Sequence, residues 1–129
     1  MVKAVDTNIL ARAMVRDDDD QAGVADSVLA NGAYVPLTVL LETAWLLSSR
    51  YQLSRSVVAD TLMDIVDLPN VSVEEGGAVQ WAIERYRHGG DIADALHIVA
   101  SIRADSFVTF DREMLRKLGD SPLPIEVLK

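Results

Sequence analysis

Apolar and polar positions along the chain switch between a period near two and a period near 3.6, and each switch marks the end of an element. Val2-Lys3-Ala4-Val5 predicts a buried opening strand that ends abruptly on Asp6-Thr7-Asn8. Ile9 to Val15 reads as a short helix, and a second follows from about Gln21 to Ala30. Between them lies the acidic run Asp17 to Asp20, whose charges suit a solvated loop and the positive end of a helix dipole. Asn31-Gly32 stops that helix, and Ala33-Tyr34-Val35 is a short strand closed by Pro36. Thr38 to Tyr51 predicts a long, largely buried helix, with Leu40, Leu41, Ala44 and Leu47, joined by Trp45 in one reading, covering most of its circumference. Ser54 caps another helix to Val66, packed through Val57, Val58, Leu62 and Ile65. The second half repeats the theme: strand Val71-Ser72-Val73, helix Glu74 to Arg87, helix from Asp91 to about Arg103, strand Ser106 to Phe110, helix Asp111 to Leu118, and a terminal strand around Ile125-Glu126-Val127. This alternation predicts an α/β fold with a parallel sheet covered by helices on both faces. No internal repeat, linker or domain boundary interrupts it, so residues 1–129 are expected to form one domain.

Composition narrows the chemistry. Half of the residues are hydrophobic, enough for a core, yet no apolar run approaches the roughly 20 residues that cross a bilayer. A soluble, cytoplasmic protein without membrane attachment is the expectation. The chain has no cysteine, which removes disulfides, thiolate metal sites and cysteine nucleophiles. A net charge of −8 is the wrong sign for holding nucleic acid by bulk attraction, so any such partner must be met by local arginines or through metal ions. Asp17 to Asp20 is no calcium loop of the EF-hand type, because Ala22 and Val28 stand at the sixth and twelfth positions.

Four carboxylates stand out by where they fall. Asp6 and Asp111 each follow the end of a strand, where ligands collect in open parallel sheets. Asp94 falls in the first turn of a helix, and Glu42 lies among apolar residues near the start of another. Each also has an ordinary role available. Asp6 or Thr7 can cap the following helix, Asp91 is a natural cap, and Glu42 can face solvent on a narrow polar stripe with Trp45 or Ser49. His97, among apolar neighbours, reads as a hydrogen-bonded core histidine. The cationic run Arg85-Tyr86-Arg87-His88 reads as a helix end complementing the dipole, with a phosphate patch as the alternative. If the fold gathers the four acids, their mutual repulsion demands a cation, and hard divalent ions prefer such oxygens.

Val5-Asp6-Thr7-Asn8, Glu42, Asp91-Ile92-Ala93-Asp94-Ala95-Leu96-His97 and Val108-Thr109-Phe110-Asp111-Arg112 together resemble the PIN-domain ribonucleases, in particular the small VapC-type toxins of toxin–antitoxin pairs. The similarity spans essentially the whole chain. It implies a central parallel sheet of about five short strands, and a magnesium-dependent (or manganese-dependent) endoribonuclease that leaves a 5′-phosphate and a 3′-hydroxyl. It implies Asp6, Glu42, Asp94 and Asp111 as the catalytic quartet, with Asp6, Asp94 and Asp111 at the metal and Glu42 on the attacking water. Thr7, Asn8, Asp91 and Thr109 match supporting positions. RNA would meet arginines around the pocket, with Arg12, Arg50, Arg85, Arg87 and Arg112 as candidates. The resemblance further implies a homodimer, inhibition of translation, and silencing by a cognate antitoxin. The apolar helices containing Leu40 to Leu47 and Leu53 to Ile65 are candidate partner surfaces, with core packing explaining most of those residues equally well.

Other classes fare less well. Asp6-Thr7-Asn8 lacks the second Asp of the haloacid-dehalogenase-like phosphatases, and no Lys follows a late strand as a phospho-acceptor site needs. A metal-free ribonuclease would have only His88 and His97 as its histidines. A non-catalytic RNA-binding or protein-interaction module of the same fold is the remaining alternative.

Overall fold

A cap at the start of most helices sets the architecture. In the computed structural model, which describes residues 1–129, Asp6 opens α1 (Thr7–Val15), following β1 (Lys3–Ala4). The Asp18 carboxylate accepts the Gln21 amide at 3.0 Å and opens α2 (Asp19–Ala30). After β2 (Ala33–Val35), Pro36 begins α3 (Leu37–Ser49) with its fixed backbone angle in place of a side-chain acceptor. Ser54 caps α4 (Arg55–Asp67) through the Val57 amide. β3 (Val71–Val73) leads to α5 (Gly76–Arg87), which begins after Glu75 in the left-handed region. The sequence pattern carries that helix back to Glu74, but Glu74 instead accepts the Leu37 amide and ties α3 to the end of β3. Asp91 caps α6 (Ile92–Ala100), and β4 (Phe107–Thr109), α7 (Arg112–Leu118) and β5 (Ile125–Val127) complete the chain.

All five strands pair in parallel, as the alternation of strands and helices predicts. They divide between two sheets. β1-β2-β3 form one, with Lys3 opposite Ala33 and Ala33 opposite Val71, and β4-β5 form the other, with Phe107 opposite Ile125. The five strands thus form two sheets where a single central sheet is expected. β1 has only two residues in its ladder and is exposed, which corrects the expectation of a buried opening strand. It lies at a sheet edge and pairs only with β2, whose Ala33 and Val35 are the buried strand residues.

The core is filled by one face of each helix, with Leu10, Leu40, Leu47, Val58, Leu62, Ile65, Ile83 and Ile98 all fully buried. Leu40, Leu47, Leu62 and Ile65 therefore belong to the interior, the core-packing role that the sequence also offers them. α3 packs against α1 on one side and α6 on the other, so it joins the two parts of the chain that carry the candidate acids.

The loop between α5 and α6 is held tightly. Gly90 donates its amide to the Arg85 carbonyl at 2.8 Å, and a Cβ at Gly90 would stand 2.9 Å from that oxygen, so only glycine allows the approach. The Arg55 guanidinium donates to the carbonyls of Tyr86 and Gly90 at 2.7 and 2.8 Å and lies over the Tyr86 ring. Asp91 follows directly from this clamp.

Candidate active site

Asp6 leaves β1 in extended backbone geometry and accepts the Thr7 amide on Oδ1 at 2.7 Å, so one oxygen is used locally and the other is free. Thr7 is buried, and its hydroxyl donates to Glu42 Oε1 across the α1–α3 contact at 2.5 Å. Glu42 is exposed, on the same stripe of α3 as Trp45 and Ser49, which is the solvent-facing alternative read from the sequence. Facing solvent does not remove it from the acids. Asp6, Thr7, Asn8, Glu42, Trp45, Leu46 and Ser49 line one open depression of about 350 Å³.

The second group gathers at the start of α6 and the end of β4. Asp91 Oδ1 accepts the Asp94 amide at 2.9 Å. Asp111 Oδ1 accepts the Glu113 amide at 2.9 Å, while the Asp111 amide is held by the Thr109 hydroxyl at 3.0 Å. Asp91 and Asp111 thus turn local capping into fixed carboxylate direction. The Asp94 carboxylate makes no hydrogen bond and is partly shielded from solvent. Burial pushes its carboxyl above the ordinary Asp range, the neighbouring charges of Asp91 and Asp111 push it further, and His97 opposes them weakly. The three aspartates line a cavity of about 310 Å³ with Arg55, Glu113 and Lys117.

The structure therefore brings the acids together in two sets, Asp6 with Glu42 and Asp94 with Asp91 and Asp111, and α3 links them. His97 is exposed, which corrects its reading as a core residue; it lies on the solvent side of α6, between buried Leu96 and Ile98. Of the candidate arginines, Arg12 pairs with Asp17, Arg85 with Asp120, and Arg87 with Asp60 and Glu84. Arg50 and Arg112 are exposed and form no ion pair. Arg55, Glu113 and Lys117 were missed by the sequence reading. Arg55 gave no signal there beyond following a cap, because what places it at the cavity is the distant loop at Gly90.

None of Asp6, Glu42, Asp91, Asp94 or Asp111 is within ion-pair reach of a Lys, Arg or His, whereas Asp17, Asp26, Asp60, Glu84, Glu113 and Asp120 all are. What sets these five apart from the other unpaired acids is that they line two depressions, Asp6 with Glu42 in one and Asp91, Asp94 and Asp111 in the other, where Arg55 and Lys117 are the only cationic side chains. The class of fold is a nuclease type: a family model described as the PIN domain matches residues 3–120. The chain belongs to the PIN domain family, whose members are generally nucleases and typically use divalent metals. No curated protein matches it.

The residues present fit such a metal in donor type and charge, since each unpaired carboxylate keeps at least one oxygen free. No three acidic or histidine side chains converge closely enough to enclose an ion by themselves. Magnesium does not require that, because it retains several waters and is commonly held by one or two carboxylates.

Proposed function

We propose that the chain is a magnesium-dependent or manganese-dependent endoribonuclease of the VapC type, the toxin of a toxin–antitoxin pair that inhibits translation by hydrolysing RNA. The observation that carries this reading is the set of unpaired acids at the ends of β1 and β4 and the start of α6. Asp6, Asp94 and Asp111 would hold the metal, which when bound supplies the positive charge that a phosphodiester needs at its transition state and lowers the cost of ionising water at neutral pH. Glu42 accepts the Thr7 hydroxyl on one oxygen and keeps the other to orient the attacking water and take its proton. Thr109 holds the backbone that aims Asp111, and Asp91 does the same for Asp94. Asn8 lines the depression beside Asp6 and has an amide free for substrate. Arg50 and Arg112, exposed and without carboxylate partners, are the candidate arginines best placed to meet RNA phosphates. A homodimer and a cognate antitoxin complete the proposal.

The test is cleavage of end-labelled total RNA. With magnesium or manganese the products should carry 5′-phosphates and 3′-hydroxyls, and EDTA should abolish them. Undiminished cleavage in EDTA, or 2′,3′-cyclic phosphate ends, would remove the metal-dependent reading. A second reading, a non-catalytic RNA- or protein-binding module, is favoured by the lack of three converging acids. It predicts RNA binding with no cleavage under any metal.

Within the nuclease reading, Thr7→Val should lower kcat by about 10- to 100-fold, the usual cost of losing a group that orients a functional side chain. Thr7→Ser, which keeps the hydroxyl, should restore most of it. Equal activity in Thr7→Val and wild type would show that the contact to Glu42 is not used.

A further inference from the structure

We propose that the indole of Trp45 is a stacking platform for a nucleobase of single-stranded RNA, and hence a specificity-determining residue next to the acids. The proposal rests on the nuclease reading above and names what that site holds besides phosphate.

Trp45 lies one turn beyond Glu42 on the same face of α3 and lines the same depression as Asp6, Thr7, Asn8, Glu42 and Ser49. It is 55% exposed, although α3 buries its opposite face completely at Leu40 and Leu47. A tryptophan carries a large apolar surface that folding ordinarily hides. The chain's other tryptophan follows that rule: Trp81 packs against the core and donates its indole N–H to Asp120 at 3.2 Å. The Trp45 indole N–H has no acceptor in the protein, so both the ring face and the donor are available to a ligand.

The surroundings decide what kind of ligand. Asp6, Thr7, Asn8, Glu42 and Ser49 surround Trp45 with polar groups, and Leu46 is the one other apolar residue of the depression, a smaller apolar surface than the broad patch that a protein partner covers. Without a cation a phosphate placed against these carboxylates would be repelled, whereas a nucleobase is neutral and presents a π face to the ring and ring acceptors to the indole N–H. The chain's net charge of −8 strengthens the argument. Bulk attraction to the RNA backbone is weak here, and stacking supplies affinity that does not depend on charge. A duplex hides its base faces, so the platform selects single-stranded segments or loops.

Fluorescence tests this directly. In full-length protein carrying Trp81→Phe, Trp45 is the only tryptophan. Titration in EDTA with octameric oligouridylate, octameric oligoadenylate and an abasic ribose-phosphate octamer of equal charge should show quenching by both base-bearing oligomers and not by the abasic one. In a label-based binding assay Trp45→Ala should weaken the base-bearing oligomers by about 5- to 150-fold, with Trp45→Phe restoring most of the affinity. With magnesium, Trp45→Ala should raise KM by a similar factor and leave kcat within about threefold. Absence of quenching, equal quenching by the abasic oligomer, or an unchanged Kd and KM in Trp45→Ala would overturn the proposal. The nuclease reading fails separately: quenching by RNA without cleavage in any metal leaves the platform standing and removes the hydrolase, while cleavage with an unaltered KM in Trp45→Ala does the reverse.

Discussion

Asp94→Asn is expected to lower RNA cleavage by at least about 100-fold while making the metal-free protein more stable at neutral pH. The loss of activity follows from removing a charge at the centre of the acidic cavity, where electrostatic groups contribute factors of about 10² to 10³. The gain in stability follows from the sign of the shift. Burial and the charges of Asp91 and Asp111 raise the Asp94 carboxyl above its ordinary value, so the folded chain holds this proton more tightly than the unfolded chain does. The favourable contribution is complete below about pH 4, the unfolded Asp range, and is lost as pH rises through the higher folded value. At neutral pH the wild type therefore keeps an ionised, crowded carboxylate that the amide avoids. Thermal melts of both proteins in EDTA from acid to neutral pH should show the wild type falling behind across that window. Added magnesium should reverse the order, since an ion that binds only the native wild type at 100 times its Kd stabilises it by about 2.7 kcal/mol. A variant that is less stable than wild type at neutral pH without metal, or that gains equally from magnesium, would contradict this account.

Leu40→Ala should destabilise the fold by about 2–5 kcal/mol, the range for emptying a fully buried leucine position. That is a large share of the roughly 5–15 kcal/mol that holds a domain together. The position matters beyond its volume. Leu40 lies on the buried face of α3, two residues before Glu42, and α3 is the helix that packs against both α1 and α6. Loosening it should loosen the relation between the Asp6–Glu42 depression and the Asp94 cavity. Chemical denaturation measures the first effect. The second would appear as a fall in kcat under conditions where the variant remains fully folded, and a variant with normal kcat would show that α3 does not set the distance between the two sets of acids.

The pairing of the arginines changes how the negative net charge should be understood. Arg12, Arg85 and Arg87 each face an acidic side chain, so a nucleic acid would have to compete with Asp17, Asp120, Asp60 or Glu84 for them. Arg55 lines the acid cavity, but two of its hydrogen bonds are committed to holding the loop before Asp91. Contacts to the RNA backbone therefore fall to arginines outside ion pairs, such as Arg50 and Arg112, and a neutral stacking contact at Trp45 adds affinity that does not depend on them.

Much of the local structure was legible from residue order alone. Ser54 and Asp91 cap helices where their spacing to the next apolar residues places them, because a cap is a contact between a side chain and an amide two or three residues away. The same short range made Asp6 and Asp111 readable as strand-end acids, and the structure gives each of them a capping bond and a free oxygen. The order of strands and helices, and with it the parallel α/β class, followed from periodicity. What periodicity cannot carry is which face of a nearly all-apolar helix points outward. Glu42 and Trp45 lie in the open because α1, α4 and α6 cover the rest of α3, a decision made by neighbours more than thirty residues away in sequence for Thr7 and Glu42. The same holds for exposed His97, for the division of the strands into two sheets, and for Arg55 at the Gly90 loop. Chain order by itself determined the elements, their caps and the identity of the acids. Tertiary packing alone decided that these acids stand outside ion pairs in two sets, because the partners available to a charge depend on which distant surfaces the core brings beside it.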